Sequence, residues 1–266
     1  MKLKILDIQS KESGSIELPK QFTESFRPDL VKRAAIAVQS KTIQPYGAKP
    51  TAGMRHSAEI SRRRNNYKTS YGYGISRVPR KIMSHSGNRF SWVGAVAPGT
   101  VGGRKAHAPR SEKVLIKDIN KKEKRKALRC AISATVMSDV VSKRHKLPEN
   151  YPFVLSNDFE NLTKTSELLN SLKSLGFVDE LSRVSEKTIR SGKGKLRNRK
   201  YKRKVGPLLV VSKDCALEKV SNIPGVEIIK VDELNALKLA PGMEAGRMAL
   251  FTEGALVRMK EEKLFL

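Results

Sequence analysis

Seventy consecutive residues, 44–113, run through the middle of the chain without a sustained apolar period. Such a segment cannot bury a core of its own, and loops longer than about 15 residues without secondary structure are uncommon unless functional or disordered. The chain must therefore fold elsewhere and hold this stretch as an irregular insertion anchored at both ends. Out and back, it reaches at most roughly 110 Å. Its composition says what it reaches for. It carries fourteen Lys or Arg against two carboxylates, Glu59 and Glu112. A second stretch, 187–204, carries ten Lys or Arg and no acid. These two segments hold most of the net charge of +27. A basic excess concentrated in this way implies a polyanionic partner, not a merely soluble surface.

The rings follow the charge. Tyr46, Tyr67, Tyr71, Tyr73 and Tyr201 lie in the two basic stretches, with the only tryptophan, Trp92, whereas phenylalanine is concentrated outside them. Aromatic side chains interleaved with Arg suit stacking on unpaired bases and hydrogen bonding to phosphate. Trp92, flanked by Phe90 and Val93, also suits a small local cluster. The candidate RNA-binding residues in the insertion are Arg55, Arg62, Arg63, Arg64, Tyr67, Lys68, Tyr71, Tyr73, Arg77, Arg80, Lys81, Arg89 and Trp92. Arg104, Lys105, His107 and Arg110 follow in "GTVGGRKAHAPR", where Gly102 and Gly103 suit a close approach to RNA. In the second stretch they are Arg190, Lys193, Lys195, Arg197, Arg199, Lys200, Lys202 and Arg203. The preference for Arg in the insertion favours bidentate phosphate contacts.

The remaining segments read as alternating strands and helices. "PDLVKRAAIAVQS" repeats Leu30, Ala34 and Val38 at helical spacing behind Pro28, which suits a first turn. Residues 120–145 predict one long amphipathic helix, opened by a capping-box pair, Asn120 and Glu123. "FVLS" at 153, "LLVVS" at 208 and "VEIIKV" at 226 predict strands buried on both faces. Leu168, Leu169, Leu172 and Leu175 form a helix face stopped by Gly176, and further helices are expected over "DELNALKLA" and "TEGALVRMKEEKLF". The expected fold is an α/β single domain over 1–266. It has three layers around a largely parallel sheet, with the loop 44–113 and the basic stretch 187–204 inserted.

Catalytic chemistry finds little material. "YGYGIS" places Arg77 where GxGxxG needs its third glycine, and neither "GTVGG" nor "GKGK" is a Walker loop. His56, His85, His107 and His145 are scattered without metal-ligand spacing and read as solvated or RNA-facing, so no metal or cofactor is expected. Cys130 and Cys215 read as packing residues, and so few cysteines suit a reduced, intracellular setting. No run of 18 apolar residues spans a membrane, and "MKLKILDIQS" lacks a signal-peptide pattern. An RNA-modifying or nucleotide-dependent enzyme on the same core is the competing reading, and a DNA-compacting protein a third.

The runs "YGYGISRVPRK", "RFSWVGAVAPGTVGGRKAHAPRSEK", "IRSGKGKLRNRKYKRKVGPLLVVSKD" and "VDELNALKLAPG" closely resemble the archaeal and eukaryotic branch of the universal ribosomal protein L-four family of the large subunit. The resemblance runs from end to end. It implies a structural, cytoplasmic ribosomal constituent with no catalytic activity. Its partners would be large-subunit rRNA, neighbouring large-subunit proteins and, at the exit tunnel, the nascent peptide. By the same resemblance the insertion enters the RNA and its deepest part lies around Gly72 to Arg80. There Gly72, Tyr73, Gly74, Ser76, Arg77 and Arg80 would line the tunnel, and Lys187 to Lys204 would make a further rRNA contact.

Overall fold

Two chain segments that lie far apart in sequence build one compact unit: residues 1–42 and 116–266 cluster together, and 43–115 form a second unit. The computed structural model describes residues 1–220 and 222–266. In chain order, β1 (Lys2–Leu6) and β2 (Glu12–Glu17) precede helix α1 (Pro28–Ser40). Strands β3 (Arg80–Ser86) and β4 (Arg89–Gly94) belong to the second unit. The chain then returns through α2 (Lys121–Val136), α3 (Ser138–Val141), β5 (Val154–Leu155), α4 (Thr165–Ser174) and α5 (Val178–Ser185). It ends through β6 (Lys187–Ile189), β7 (Tyr201–Arg203), β8 (Leu208–Val211), β9 (Glu227–Lys230), α6 (Ala236–Leu239), β10 (Ala249–Phe251) and α7 (Glu253–Glu261).

The first unit is a mixed α/β structure with small sheets. One sheet has the order β2-β1-β5, antiparallel between β1 and β2 and parallel between β1 and β5; the other has the order β10-β8-β9 and is parallel throughout. A single parallel bridge, Leu155 to Thr252, links the strand ends of the two. Strand β8 shows why its sequence is unbroken "LLVV". Leu208 and Val210 enter one apolar cluster, with Leu128, Ile132, Phe251 and Met259, while Leu209 and Val211 enter another, with Leu168, Leu172, Phe177 and Leu250. With apolar neighbours on both faces, no position tolerates a polar side chain. Helices α1, α2 and α6 approach closely through Ala34, Ala127 and Ala236, residues too small to hold the backbones apart.

Helix α1 spans the expected residues, with Pro28 in its first turn. The expected helix 120–145 is interrupted. Met137 adopts extended geometry, with φ −80° and ψ 100°, between α2 and α3. The Thr135 carbonyl, which a continuing helix would offer to the amide of Asp139, accepts the Tyr151 hydroxyl instead. Nor does the capping box form: Asn120 stands at the N-cap without a side-chain hydrogen bond. The insertion is not wholly irregular either, since β3 and β4 pair as a hairpin within it. The two flanks of that insertion meet inside the first unit, where the Lys117 amide donates to Ser40 Oγ at 2.9 Å.

Candidate nucleic-acid interface

The second unit is two apposed legs carrying a hairpin. The Ala48 amide donates to the Pro109 carbonyl at 2.9 Å. A Cβ on Gly47 would stand 2.5 Å from the Ser111 amide nitrogen, and one on Gly53, at φ +77°, 2.5 Å from that of Arg104. Only glycine lets the legs lie this close. Gly103 likewise abuts the Ala97 carbonyl and Thr100 Oγ1, so its missing side chain serves the chain's own turn as well as any close RNA approach. Above the legs, β3 and β4 pair antiparallel, Arg80 opposite Gly94 and Ile82 opposite Trp92, around a turn with Gly87 at φ +54°. Along β4 exposure alternates, with Arg89, Ser91 and Val93 exposed and Phe90, Trp92 and Gly94 half-buried. This period-two pattern and the Ser-Gly-Asn turn were the sequence signals for the hairpin.

The hairpin gathers residues scattered along the insertion. Phe90 and Trp92 stack at 4.9 Å and 21° between planes, and Tyr67 meets Phe90 edge-on at 5.2 Å. Three cations lie over rings: Arg80 over Trp92 at 5.4 Å, Lys68 over Tyr67 at 5.6 Å and Arg77 over Tyr71 at 4.5 Å. Trp92 thus has the local partner expected in Phe90, while Val93 faces away. Arg80 is also tied to its own strand approach, donating to the Ser76 carbonyl at 2.6 Å and to the Val78 carbonyl at 3.3 Å. Beside the rings opens a cavity of about 790 Å³, lined in part by Tyr71, Gly72, Tyr73 and Asn65, Asn66 and Asn88. Sequence reasoning missed these asparagines. Gly72 and Gly74 both have positive φ with open space around the missing Cβ, and Tyr73 is exposed. Arg55, Arg62, Arg63, Arg64, Arg89, Arg104, Lys105, His107 and Arg110 are exposed, and Lys81 is half-buried on β3.

In the second basic stretch, β6 and β7 pair antiparallel around a 3-10 turn, Gly192–Arg197. Arg190, Lys193, Lys195, Arg197, Arg199, Lys200, Lys202 and Arg203 are all exposed, and Lys187 and Lys200 both approach the Tyr201 ring. The root of this hairpin is fixed from below. Arg183 donates to the Val205 carbonyl at 2.9 Å and grips Glu180, whose other partners are His145 at 2.6 Å and the Lys146 amide at 3.0 Å. His145 is buried, contrary to the solvated or RNA-facing role expected of it.

The electrostatic difference between core and interface is sharp. Among the described residues, the one ion pair made by a basic side chain of 44–113 or 187–204 is Lys204 to Glu186 at 3.2 Å. The other ion pairs lie in the first unit outside these stretches, as Arg247 to Glu227 at 2.7 Å and Arg129 to Glu24 at 2.9 Å. A dense field of unpaired cations repels itself unless an outside anion neutralises it. Burial pushes the thiols of Cys130 and Cys215 up, the opposite of an activated nucleophile. No cluster of three or more His, Cys, Asp or Glu side chains suited to a metal occurs among the described residues, and among them no helix is long and apolar enough to cross a membrane.

Comparison with known proteins agrees with the motifs that carry these residues. A model of the ribosomal protein L4/L1 family matches residues 16–262. The large ribosomal subunit protein uL4 of Nanoarchaeum equitans is 44% identical over 268 residues, covering 100% of both chains. Its namesakes from Methanococcoides burtonii and Methanoregula boonei are 41% and 39% identical, each over 98% of this chain and 98% and 99% of their own. Matches of that extent take in the core, the legs, the hairpin and the second basic stretch together, and by them this chain belongs to the ribosomal protein L4/L1 family.

Proposed function

We propose that the protein is a structural constituent of the large ribosomal subunit that holds rRNA through 44–113 and 187–204 and places the segment Gly72 to Arg80 at the nascent-peptide exit tunnel. The observation that carries the RNA reading is the row of exposed cations with no carboxylate partner, interleaved with rings that already accept cations. Phosphate contacts from Arg62, Arg63, Arg64 and the second hairpin supply affinity, and rings supply stacking. The tunnel assignment rests on the resemblance of "YGYGISRVPRK" to the family and is favoured by the open, glycine-hinged backbone of Gly72 and Gly74. The family is one of ribosomal proteins, so the enzyme reading falls.

The architecture we infer for this role is one α/β domain whose two small sheets act together as a largely parallel central layer between helices. The Leu155–Thr252 bridge and the two apolar clusters that share β8 support it. Such a base is stiff, which suits a scaffold for an insertion. Binding to large-subunit rRNA is expected to weaken with salt at a log-log slope of about 0.7–0.9 per phosphate neutralised. Replacing Arg197, Arg199, Lys200, Lys202 and Arg203 by Gln is expected to flatten that slope by roughly the same amount for each phosphate left without its cation. An unchanged slope removes the second hairpin from the interface.

A further inference from the structure

The geometry points to the cavity beside the β3–β4 hairpin as a receptor for one unpaired adenine nucleotide of the bound RNA. This rests on the RNA-binding reading above and deepens it, from a charged surface to a site that selects a base.

Size comes first: about 790 Å³ falls within the range of sites that enclose small ligands. The walls are the second point. Tyr67 and Tyr73 are 56% and 63% exposed, so both keep open ring surface beside the stacked pair of Phe90 and Trp92. Base stacking on such rings tolerates every base, so the rings alone select none. Selection comes from Asn66 and Asn88. Among the described residues neither side-chain amide makes a hydrogen bond to the protein, and both lie at the cavity. A primary amide presents a donor beside an acceptor, and on the edge that carries N7 adenine alone answers both, through N6 and N7, where guanine offers two acceptors. Neither Glu59 nor Glu112 lines the cavity, while Lys68 and Arg89 do, so a nucleotide's phosphate meets cations and no carboxylate.

The base reaches this site as part of an RNA. Arg62, Arg63 and Arg64 are exposed and unpaired in the run just before the lining residues, and a free nucleotide would leave them without partners. The same chemistry exists in free AMP, so the test separates the two.

Trp92 is the only tryptophan, so its fluorescence reports on this cavity alone. The full chain is titrated with four RNA hairpins, identical except for one position: a bulged A, a bulged U, a bulged abasic residue, or no bulge. AMP is titrated alongside. Expected is quenching of Trp92 by the bulged-A hairpin, with affinity about tenfold above the abasic hairpin, the factor that one stacked base of ~1.4 kcal/mol corresponds to. Asn66→Ala with Asn88→Ala should bring bulged A down to the level of bulged U, and Tyr73→Ala should weaken both. All three residues are exposed, so circular dichroism is expected to be unchanged. Asn65 is left in place because its φ of +56° favours Asn for conformational reasons. Equal binding of the bulged-A and abasic hairpins without quenching overturns the receptor and leaves general RNA binding standing. Binding of AMP as tight as that of the bulged-A hairpin overturns the RNA source. Failure of every hairpin to bind in a salt-sensitive way overturns the parent reading as well.

Discussion

At Glu180 two opposing effects meet. Burial pushes the carboxyl up, but hydrogen bonds from Arg183, His145 and the Lys146 amide outweigh it and hold the group down at about 2. Its neighbour His145 is pushed below its ordinary 6.5, chiefly by burial, against the pull of Glu180. The signs agree. Below about pH 6.5 the unfolded chain takes a proton at His145 that the folded chain refuses, so stability falls as the solution is acidified. Glu180, depressed from 4.5, adds a second loss that proceeds as the pH drops from 4.5 toward 2. Urea unfolding across pH is expected to show both limbs. Glu180→Gln should cost about 3 kcal/mol at pH 7, as expected when one partner of a buried ion pair is lost, and should erase the lower limb. An acid limb identical to that of the parent chain would contradict the assignment. None of this was legible in the sequence. His145 sits in "SKRHK", which reads as a solvated basic run, and its partner lies 35 residues away. The basic side chains of 44–113, by contrast, were readable one by one, because an exposed charge needs no distant partner to be placed.

Among the elements, legibility followed locality. Helix α1 is marked by Pro28 and a four-residue apolar spacing, both contained in its own residues, whereas the break at Met137 depends on a hydroxyl from Tyr151 that arrives from outside the helix. The β3–β4 hairpin lay between these cases. Its alternation was present, but with so few apolar residues that the charge around it dominated the reading. Pairing has a consequence for accessibility: the hairpin backbone is bonded, while the legs, outside isolated contacts such as Ala48 to Pro109, are not. Trypsin acting on the free protein should therefore cut after Arg55, Arg104, Lys105 and Arg110 before it cuts after Arg80 and Lys81. Mass spectrometry of early digests checks the order, and equal rates at both sets would mean that the hairpin does not hold in solution.

For the whole molecule, the division of labour is between a core that holds nearly all the ion pairs and an insertion whose cations make none among the described residues. If the tip does its work at the tunnel and the legs do theirs in assembly, the two can be separated by mutation. Deleting Ser70–Pro79 should leave large subunits forming but change translational stalling, whereas Arg104→Ala with Arg110→Ala should reduce subunit yield. Sucrose-gradient profiles and stalling-peptide reporters measure each. A tip deletion that blocks assembly as severely as the leg variant would move the assembly role to the tip. The Ser40–Lys117 hydrogen bond joins the two flanks within the core, whatever length of chain runs between them. The pairing of β1 with β5 acts on a different axis, that of synthesis. Ile5 must wait for Val154. At 5–20 residues per second that wait lasts about 8–30 s, and during it the whole of 44–113 has been made with no finished scaffold beneath it. The segment most avid for RNA thus emerges before most of its scaffold, so the nascent protein depends on meeting its proper RNA, or a temporary guardian, sooner than it can fold.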